Sequence, residues 1–443
     1  MFLHQSRLIL HHAVPMLIAQ LATMGMMVID TTLLGHYGTS DLAAVAVGGG
    51  IYVAITFALA GILNAVAPVV AQLKGAGRDT EIAATLQQGF WLALLLAIPG
   101  ILLLRQPDAL LALSRIEPEV EAKARAYLVM HAWGVPAALC YRAFYAFCNA
   151  LGQPRPLMRI SLGATLLHGV LAWLLVNGWD GQAGLGVVGC GISNALVNWF
   201  ALACGVIYLL RSRTLAPYRL QHGWQPPQRA AMGELMRLGL PMGFSNFVEI
   251  SAFSLVALLV AQLGATVVAG HRIIANLASV TFMLPLSLSL ATLTQVGHAV
   301  GARDWSRARQ SAIAGMLLAA GLATLLGGLI WLVRNPLVAA ASNDHAVRAV
   351  ALALIVYIAF YQVFDALQTV AAFSLRGYKI TFLPMLVHVA CFWGVGLFGG
   401  WWLAFHGPQP MGVAGFWTGL TLSLILAATL LGGLLWRTMR MQR

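Results

Sequence analysis

Charge is what this chain has least of. Only 9% of its 443 residues are Asp, Glu, Lys or Arg, against roughly 25% in soluble globular proteins. Acids are scarcest, 14 in all against 26 Lys and Arg. With 60% hydrophobic residues and a mean hydropathy of +0.82, a water-soluble fold is excluded, and the chain reads as a polytopic membrane protein. Several motifs are also missing. The glycine clusters at 47–50 and 184–191 lack a following Lys-Ser/Thr, so ATP is not the internal energy source, and these glycines read as close helix packing. No HExxH or Ser-His-Asp pattern points to an enzyme, and no cofactor is expected. Cys140, Cys148, Cys190, Cys204 and Cys391 form no CxxC pair, which leaves them as small packing residues. His11, His12, His168, His298 and His388 do not fall at ligand spacing with one another. The N-terminal apolar run is too long for the h-region of a signal peptide and lacks a small-residue cleavage site, so it reads as the first membrane span.

Long apolar stretches are what remains. A spanning helix needs about 20 mostly apolar residues. Twelve segments meet that length, at 8–36, 42–73, 86–104, 122–150, 156–178, 184–211, 233–263, 265–298, 306–333, 346–375, 379–405 and 411–436. With both termini in the cytoplasm, 18 Lys and Arg fall inside and 7 outside, with Arg142 within a helix. That bias favours the orientation, in a cytoplasmic (inner) membrane. It also accounts for the +12 net charge without a nucleic-acid partner.

The chain repeats itself. AQLKGAGRD at 71–79 is echoed by TQVGHAVGARD at 294–304, ALGQPR at 150–155 by SLRGYK at 374–379, GVVG at 186–189 by GVAG at 412–415, and Pro15 by Pro241. Offsets of 223 to 226, in matching topological places, argue for duplication. Six spans per half insert the same way up, so the repeats are parallel. The expected organisation is an N-lobe over 1–215, a cytoplasmic linker over 216–232 and a C-lobe over 233–443. Pro15 and Pro241 can kink their helices and are hinge candidates.

Three carboxylates lie deep in apolar stretches: Asp30 on the first span, Glu249 on the seventh and Asp365 on the tenth. A charge at a helix centre costs about 2.5–3.5 kcal/mol on insertion scales, and such residues mark ion or substrate paths. Arg142 is the only arginine expected to be buried and cannot neutralise all three. Glu249 and Asp365 share the second half, where two acids in one low-dielectric pocket repel until a cation or proton binds, and they titrate as a unit. Tyr361, one turn before Asp365 on the same face, is placed to ligate a cation or to hydrogen-bond the acid. Asn246 faces the same way as Glu249, and Gln368, Ser251 and Ser254 are weaker candidates. An oxygen-lined site of this kind suits Na+ or H+ rather than a transition metal. Phe360 and Phe364 are aromatics able to line a cavity for flat ligands.

Taken together, PMLIAQLATMGMMVIDTTLLGHYGTSDLAAVAVG, APVVAQLKGAGR, GVVGCGISNALVNWF, Glu249, Asp365 and SLRGYK resemble the NorM-type branch of the multidrug and toxic compound extrusion (MATE) family over essentially the whole chain. The resemblance implies two six-helix lobes in a V around a central cavity. It implies antiport of cationic, often aromatic, drugs against Na+ or H+, by a monomer bathed in lipid. It implies that Asp30, Glu249 and Asp365 are the functional acids, that with Tyr361 they serve the coupling ion, and that Na+ itself, or H+ in its place, is held by Glu249, Asp365 and Tyr361. Substrate contacts are expected at Asp30, Asn246, Phe364 and Gln368. The chain departs from the family where Ile380 stands for a frequent Asp, and where His168 and Ala172 stand for two Asn. Asp344 matches an acid that some relatives carry near the outer opening. The competing reading is a flippase for a lipid-linked or amphipathic substrate of related architecture. It calls for buried bases, and here the acids outnumber them.

Overall fold

The computed structural model describes residues 2–112, 116–178, 183–218 and 223–442. Arg115, Asp180, Arg219 and Arg443 lie outside the described residues. The described chain is helical: α1 (Phe2–Tyr37), α2 (Thr39–Leu63), α3 (Val66–Gly75), α4 (Asp79–Arg105), α5 (Asp108–Ala112), α6 (Pro118–Ala150), α7 (Pro154–Asn177), α8 (Val187–Arg211), α9 (Arg229–Val260), α10 (Ala265–Gly301), α11 (Trp305–Leu332), α12 (Arg334–Ala341), α13 (His345–Gly377), α14 (Phe382–His388), α15 (Gly400–Phe405) and α16 (Val413–Met441). A π-helical stretch, Val389–Gly399, joins α14 to α15.

Among the described residues, 11 helices are long and apolar enough to cross a membrane. The twelfth expected span, 122–150, is α6, which is 33 residues long but too polar to qualify. It carries Glu119, Glu121, Lys123, Arg125 and Arg142. The reason is its position. Most of its side chains are buried against other helices, so it has no need of a continuous apolar face for lipid.

Contacts divide the chain into two compact units, one of Ile18–Gly243 and one of Met1–Leu17 with Phe244–Arg443. We call them the N-terminal and C-terminal units. Both divisions fall inside helices, just past Pro15 in α1 and Pro241 in α9. The first turns of α1 belong with the C-terminal unit because Ile9 and Ala13 pack on Leu288, Ala291 and Ala314, and because Ser311 donates to Gln5 at 3.1 Å. The first turns of α9 belong with the N-terminal unit, where a Cβ on Gly239 would lie 2.1 Å from the carbonyl oxygen of Ile62. Only glycine permits that approach.

Inside each unit the fourth span of its half is central. In the N-terminal unit α6 packs against α2, α4 and α8. In the C-terminal unit α13 packs in the corresponding way against α10, α11 and α16. The duplication is also written in the backbone. Four helices, α3, α6, α10 and α13, end in the same C-cap, with a left-handed residue at Gly77, Gly152, Arg303 and Lys379 respectively. In each case the next N–H reaches back five residues, as in Arg78 to Leu73 at 3.0 Å and Asp304 to Ala299 at 2.9 Å. This is the Schellman arrangement. The first half uses glycine, which accepts positive φ freely, and the second uses basic residues, which do not. Ile380 follows Lys379 in this motif. Its N–H donates to Leu375 at 3.0 Å and its side chain packs on the cluster containing Leu375 and Val296. That is the apolar contact such a cap favours, and it gives Ile380 a local reason to be apolar.

Asp304 and Asp344 are N-caps, accepting from Arg307 N at 2.9 Å and from Ala346 N at 2.7 Å. Capping by a side-chain oxygen satisfies donors that no helix can satisfy itself. Asp41 does the same across space: its Oδ1 accepts from Val187 N at the start of α8 at 2.8 Å. Its other oxygen pairs with Lys123 at 2.7 Å. The linker is strapped to α4. Gln87 donates to Gly223 O and accepts from Gln225 N, both at 3.0 Å. Gln88 donates to Pro226 O at 2.9 Å and accepts from Gln228 N at 2.7 Å. Trp224 stacks on Phe90 with ring centroids 6.0 Å apart.

Candidate functional site

In the C-terminal unit, α13 presents Tyr361, Asp365 and Gln368 at the helical spacing of one face. Tyr361 and Asp365 are buried, 3% and 5% exposed. Gln368 Nε2 donates to Asp365 Oδ1 at 3.1 Å and to Thr369 Oγ1 at 2.9 Å. Gln368 Oε1 can only accept, so His388 Nε2, 3.2 Å away on α14, must carry its proton there. The result is a buried chain, Asp365–Gln368–His388, that crosses from α13 to the start of the π-helical stretch, a geometry often found at functional sites. Tyr361 rests edge-on against Trp417, centroids 6.0 Å apart, and Trp417 donates to His271 Nδ1 at 3.2 Å.

Glu249, half-buried on α9, lies within electrostatic reach of Asp365 and of Arg376. Both carboxylates act on Tyr361. Arg376 is 4% exposed and sits over the Phe373 ring at 4.1 Å. This corrects the expectation that Arg142 is the only buried arginine. Arg376 belongs to the SLRGYK cap, and its place near a helix end made it look like a surface charge. Two carboxylates against one guanidinium leave one negative charge when both acids are ionised. That balance suits a monovalent cation or a proton. Among the described residues no three His, Cys, Asp or Glu side chains gather to hold a metal ion, so a cation here would rest on carboxylate, phenol and amide oxygens.

Phe364 lies against Phe360, centroids 5.2 Å apart. Both line an open apolar groove with Trp331 and Val363. Asn246 is half-buried on α9.

Asp30 is in the N-terminal unit, 5% exposed. His168 Nε2 lies 2.9 Å from its Oδ1, and Asn194 Nδ2 donates to its Oδ2 at 3.1 Å. Ser193 Oγ lies 2.9 Å from His168 Nδ1. Sequence reading finds no Ser-His-Asp pattern, yet the fold assembles Asp30, His168 and Ser193 in series from three helices. It is not a hydrolytic arrangement, because Ser193 and His168 are fully buried. Sequence reasoning missed Ser193, Asn194, His388 and Arg376. The polar Ser-Asn pair in the apolar run GVVGCGISNALV was the available signal for the first two.

Long apolar helices, a repeated half and carboxylates held inside each unit describe a polytopic membrane protein. Comparison with known proteins agrees. The MatE family model matches twice, at residues 15–174 and 241–402. The two matches begin at Pro15 and Pro241, the residues from which the repeat was read. A protein of Aromatoleum aromaticum named "Probable multidrug resistance protein NorM" is 55% identical over 433 residues, 97% of this chain and 94% of that protein. "Multidrug resistance protein PmpM" of Pseudomonas aeruginosa is 37% identical over 422 residues, 95% of this chain and 88% of that protein. The crystal structure of a eukaryotic MATE transporter aligns with a TM-score of 0.90 at 22% identity, over 100% of this chain and 99% of that one. The chain belongs to the MatE family, in its NorM-type branch.

Proposed function

We propose that this protein is a secondary antiporter that exports cationic, often aromatic, organic compounds in exchange for Na+, with H+ as the alternative coupling ion. It would do so in the cytoplasmic membrane with both termini inside. The multidrug-resistance names of its relatives support the substrate class. The single uncompensated charge among Glu249, Asp365 and Arg376, with Tyr361 beside the acids, is the observation that supports an ion at this place.

The exchange works by competition. In the outward-open state the coupling ion binds Glu249 and Asp365 beside Tyr361. The drug's positive charge then meets a neutralised site and leaves. In the inward-open state the ion escapes and drug binds again. An ion moves such an equilibrium only through unequal affinity for the two states. The membrane potential adds about 2.3 kcal/mol per charge per 100 mV. Apolar walls such as Phe360 and Phe364 supply drug affinity, with Asn246 and Asp30 as further contacts. Gln368 positions Asp365. Pro15 and Pro241 are the hinges of the change.

The test is ethidium efflux under a Na+ gradient and a pH gradient imposed separately. Glu249→Gln and Asp365→Asn should each abolish efflux while the protein still reaches the membrane. Normal efflux in both variants refutes the assignment.

A further inference from the structure

The N-terminal unit holds a hydrogen-bonded series that the exchange at Glu249 and Asp365 does not use. Both oxygens of Asp30 are taken, by His168 Nε2 at 2.9 Å and Asn194 Nδ2 at 3.1 Å. The remaining ring nitrogen of His168, Nδ1, meets Ser193 Oγ at 2.9 Å. The same hydroxyl also lies 3.4 Å from the carbonyl oxygen of His168. A hydroxyl donates one hydrogen and accepts at its lone pairs. With its hydrogen on Nδ1, Ser193 serves a neutral ring whose Nε2–H donates to Asp30. With its hydrogen turned to the His168 carbonyl, the oxygen accepts from an Nδ1–H, and the ring carries two protons. Either state leaves both ring nitrogens partnered.

Three other buried histidines, His131, His271 and His388, lack this property. Nδ1 of His131 and Nδ1 of His388 have no partner among the described residues. A proton added there would be a buried donor without an acceptor, which is costly. Nδ1 of His271 already accepts from Trp417.

We propose that His168 is the proton-accepting residue of the N-terminal unit. One proton adds to Nδ1, the Ser193 hydroxyl turns from Nδ1 to the His168 carbonyl, and the His168–Asp30 pair passes from one net negative charge to none. Release runs the same steps backwards. The consequence rests on the ion-coupled exchange proposed above: Asp30 attracts a cationic compound when His168 is neutral and stops doing so when His168 is charged. The ionisable groups facing the pair are Tyr127 and His131 on α6 and Cys190 on α8. Tyr52 on α2 stacks on His131 with centroids 4.1 Å apart. Among the described residues no Lys or Arg forms an ion pair with Asp30, and His168 is the basic side chain within hydrogen-bond reach of it.

Two readouts test this. In detergent, protein with ¹³C-labelled histidine rings is titrated by NMR, and the His168 signal is identified by its absence in His168→Asn. It should pass from one ring proton to two as the pH is lowered across the range in which the protein stays folded. In Ser193→Ala, which removes the acceptor for Nδ1–H, it should hold its proton about tenfold more weakly. In proteoliposomes, ethidium efflux driven by a pH gradient should fall at least tenfold in His168→Asn, while efflux driven by a Na+ gradient persists. A His168 signal that stays fixed across that range, or one indifferent to Ser193→Ala, overturns the proposal. So does undiminished pH-driven efflux in His168→Asn. Wild-type protein inactive under both gradients would sink the antiport reading instead, and the NMR titration would still decide His168.

Discussion

Replacing Gln368 with Leu keeps the volume and deletes the amide. The structure shows what goes with it: a bond to Asp365 at 3.1 Å, one to Thr369 at 2.9 Å and one from His388 at 3.2 Å. Thr369 keeps its bond to the Asp365 carbonyl at 2.7 Å, so its loss is small. A bond to a carboxylate is worth about 1.5–3 kcal/mol, and an orphaned buried donor at His388 costs about 1–3 kcal/mol. The sum, about 2.5–6 kcal/mol, is large for one surface-silent residue. His388→Leu alone orphans only the Gln368 oxygen and should cost about 1–2 kcal/mol. The double variant removes both partners of that bond, so its cost should fall short of the sum of the singles by about 1–2 kcal/mol. Unfolding of the purified protein in mixed micelles, followed by tryptophan fluorescence, gives all three values. Additivity within about 0.5 kcal/mol would mean that the chain from Asp365 to His388 is not a unit, and that Gln368 does not position the acid.

Further outcomes are expected elsewhere. Gly77→Ala should destabilise the protein by about 1 kcal/mol, because it puts a Cβ on a left-handed residue, whereas Arg303→Gly at the equivalent cap should not destabilise it at all; the same unfolding assay compares them. Gln87→Leu combined with Gln88→Leu removes four bonds to the linker, about 2 kcal/mol of local stability. That should raise the rate of tryptic cleavage at Arg229 roughly thirtyfold if cleavage follows local opening. Asp344→Ala should cost about 1 kcal/mol as a lost cap and leave the affinity for the coupling ion unchanged; altered ion affinity would return Asp344 to the functional acids.

Much of the architecture was legible because it depends on periodicity and length. Apolar runs of twenty residues admit few readings, and the echoes of Pro15 in Pro241 and of GVVG in GVAG located the duplication. The acids were legible for a similar reason: a carboxylate amid Met, Val and Leu, as at Asp30, is costly enough to mean something. Partners were not legible. Asp30 meets His168 and Asn194 across 138 and 164 positions of chain, since contact between helices depends on register and rotation that composition does not record. Arg376 was misplaced because being near a helix end in sequence does not imply being near water. Its guanidinium lies over the Phe373 ring instead, 4.1 Å from the centroid. The α6 helix shows a third limit, since a span covered by other helices can dispense with the apolar surface by which spans are recognised.

The four matching helix caps bear on how the chain enters the membrane. Gly77 and Gly152 close their helices without strain, but Arg303 and Lys379 do so in a backbone conformation that costs a side-chain-bearing residue about 1–2 kcal/mol each. Both are among the basic residues assigned to the cytoplasmic side. Replacing them with glycine would relax the finished fold and also remove two of the charges that hold the second half's loops on that side during insertion. On the orientation proposed above, the second half trades equilibrium stability for faithful topogenesis, and a variant that melts higher should also be one that inserts with more errors.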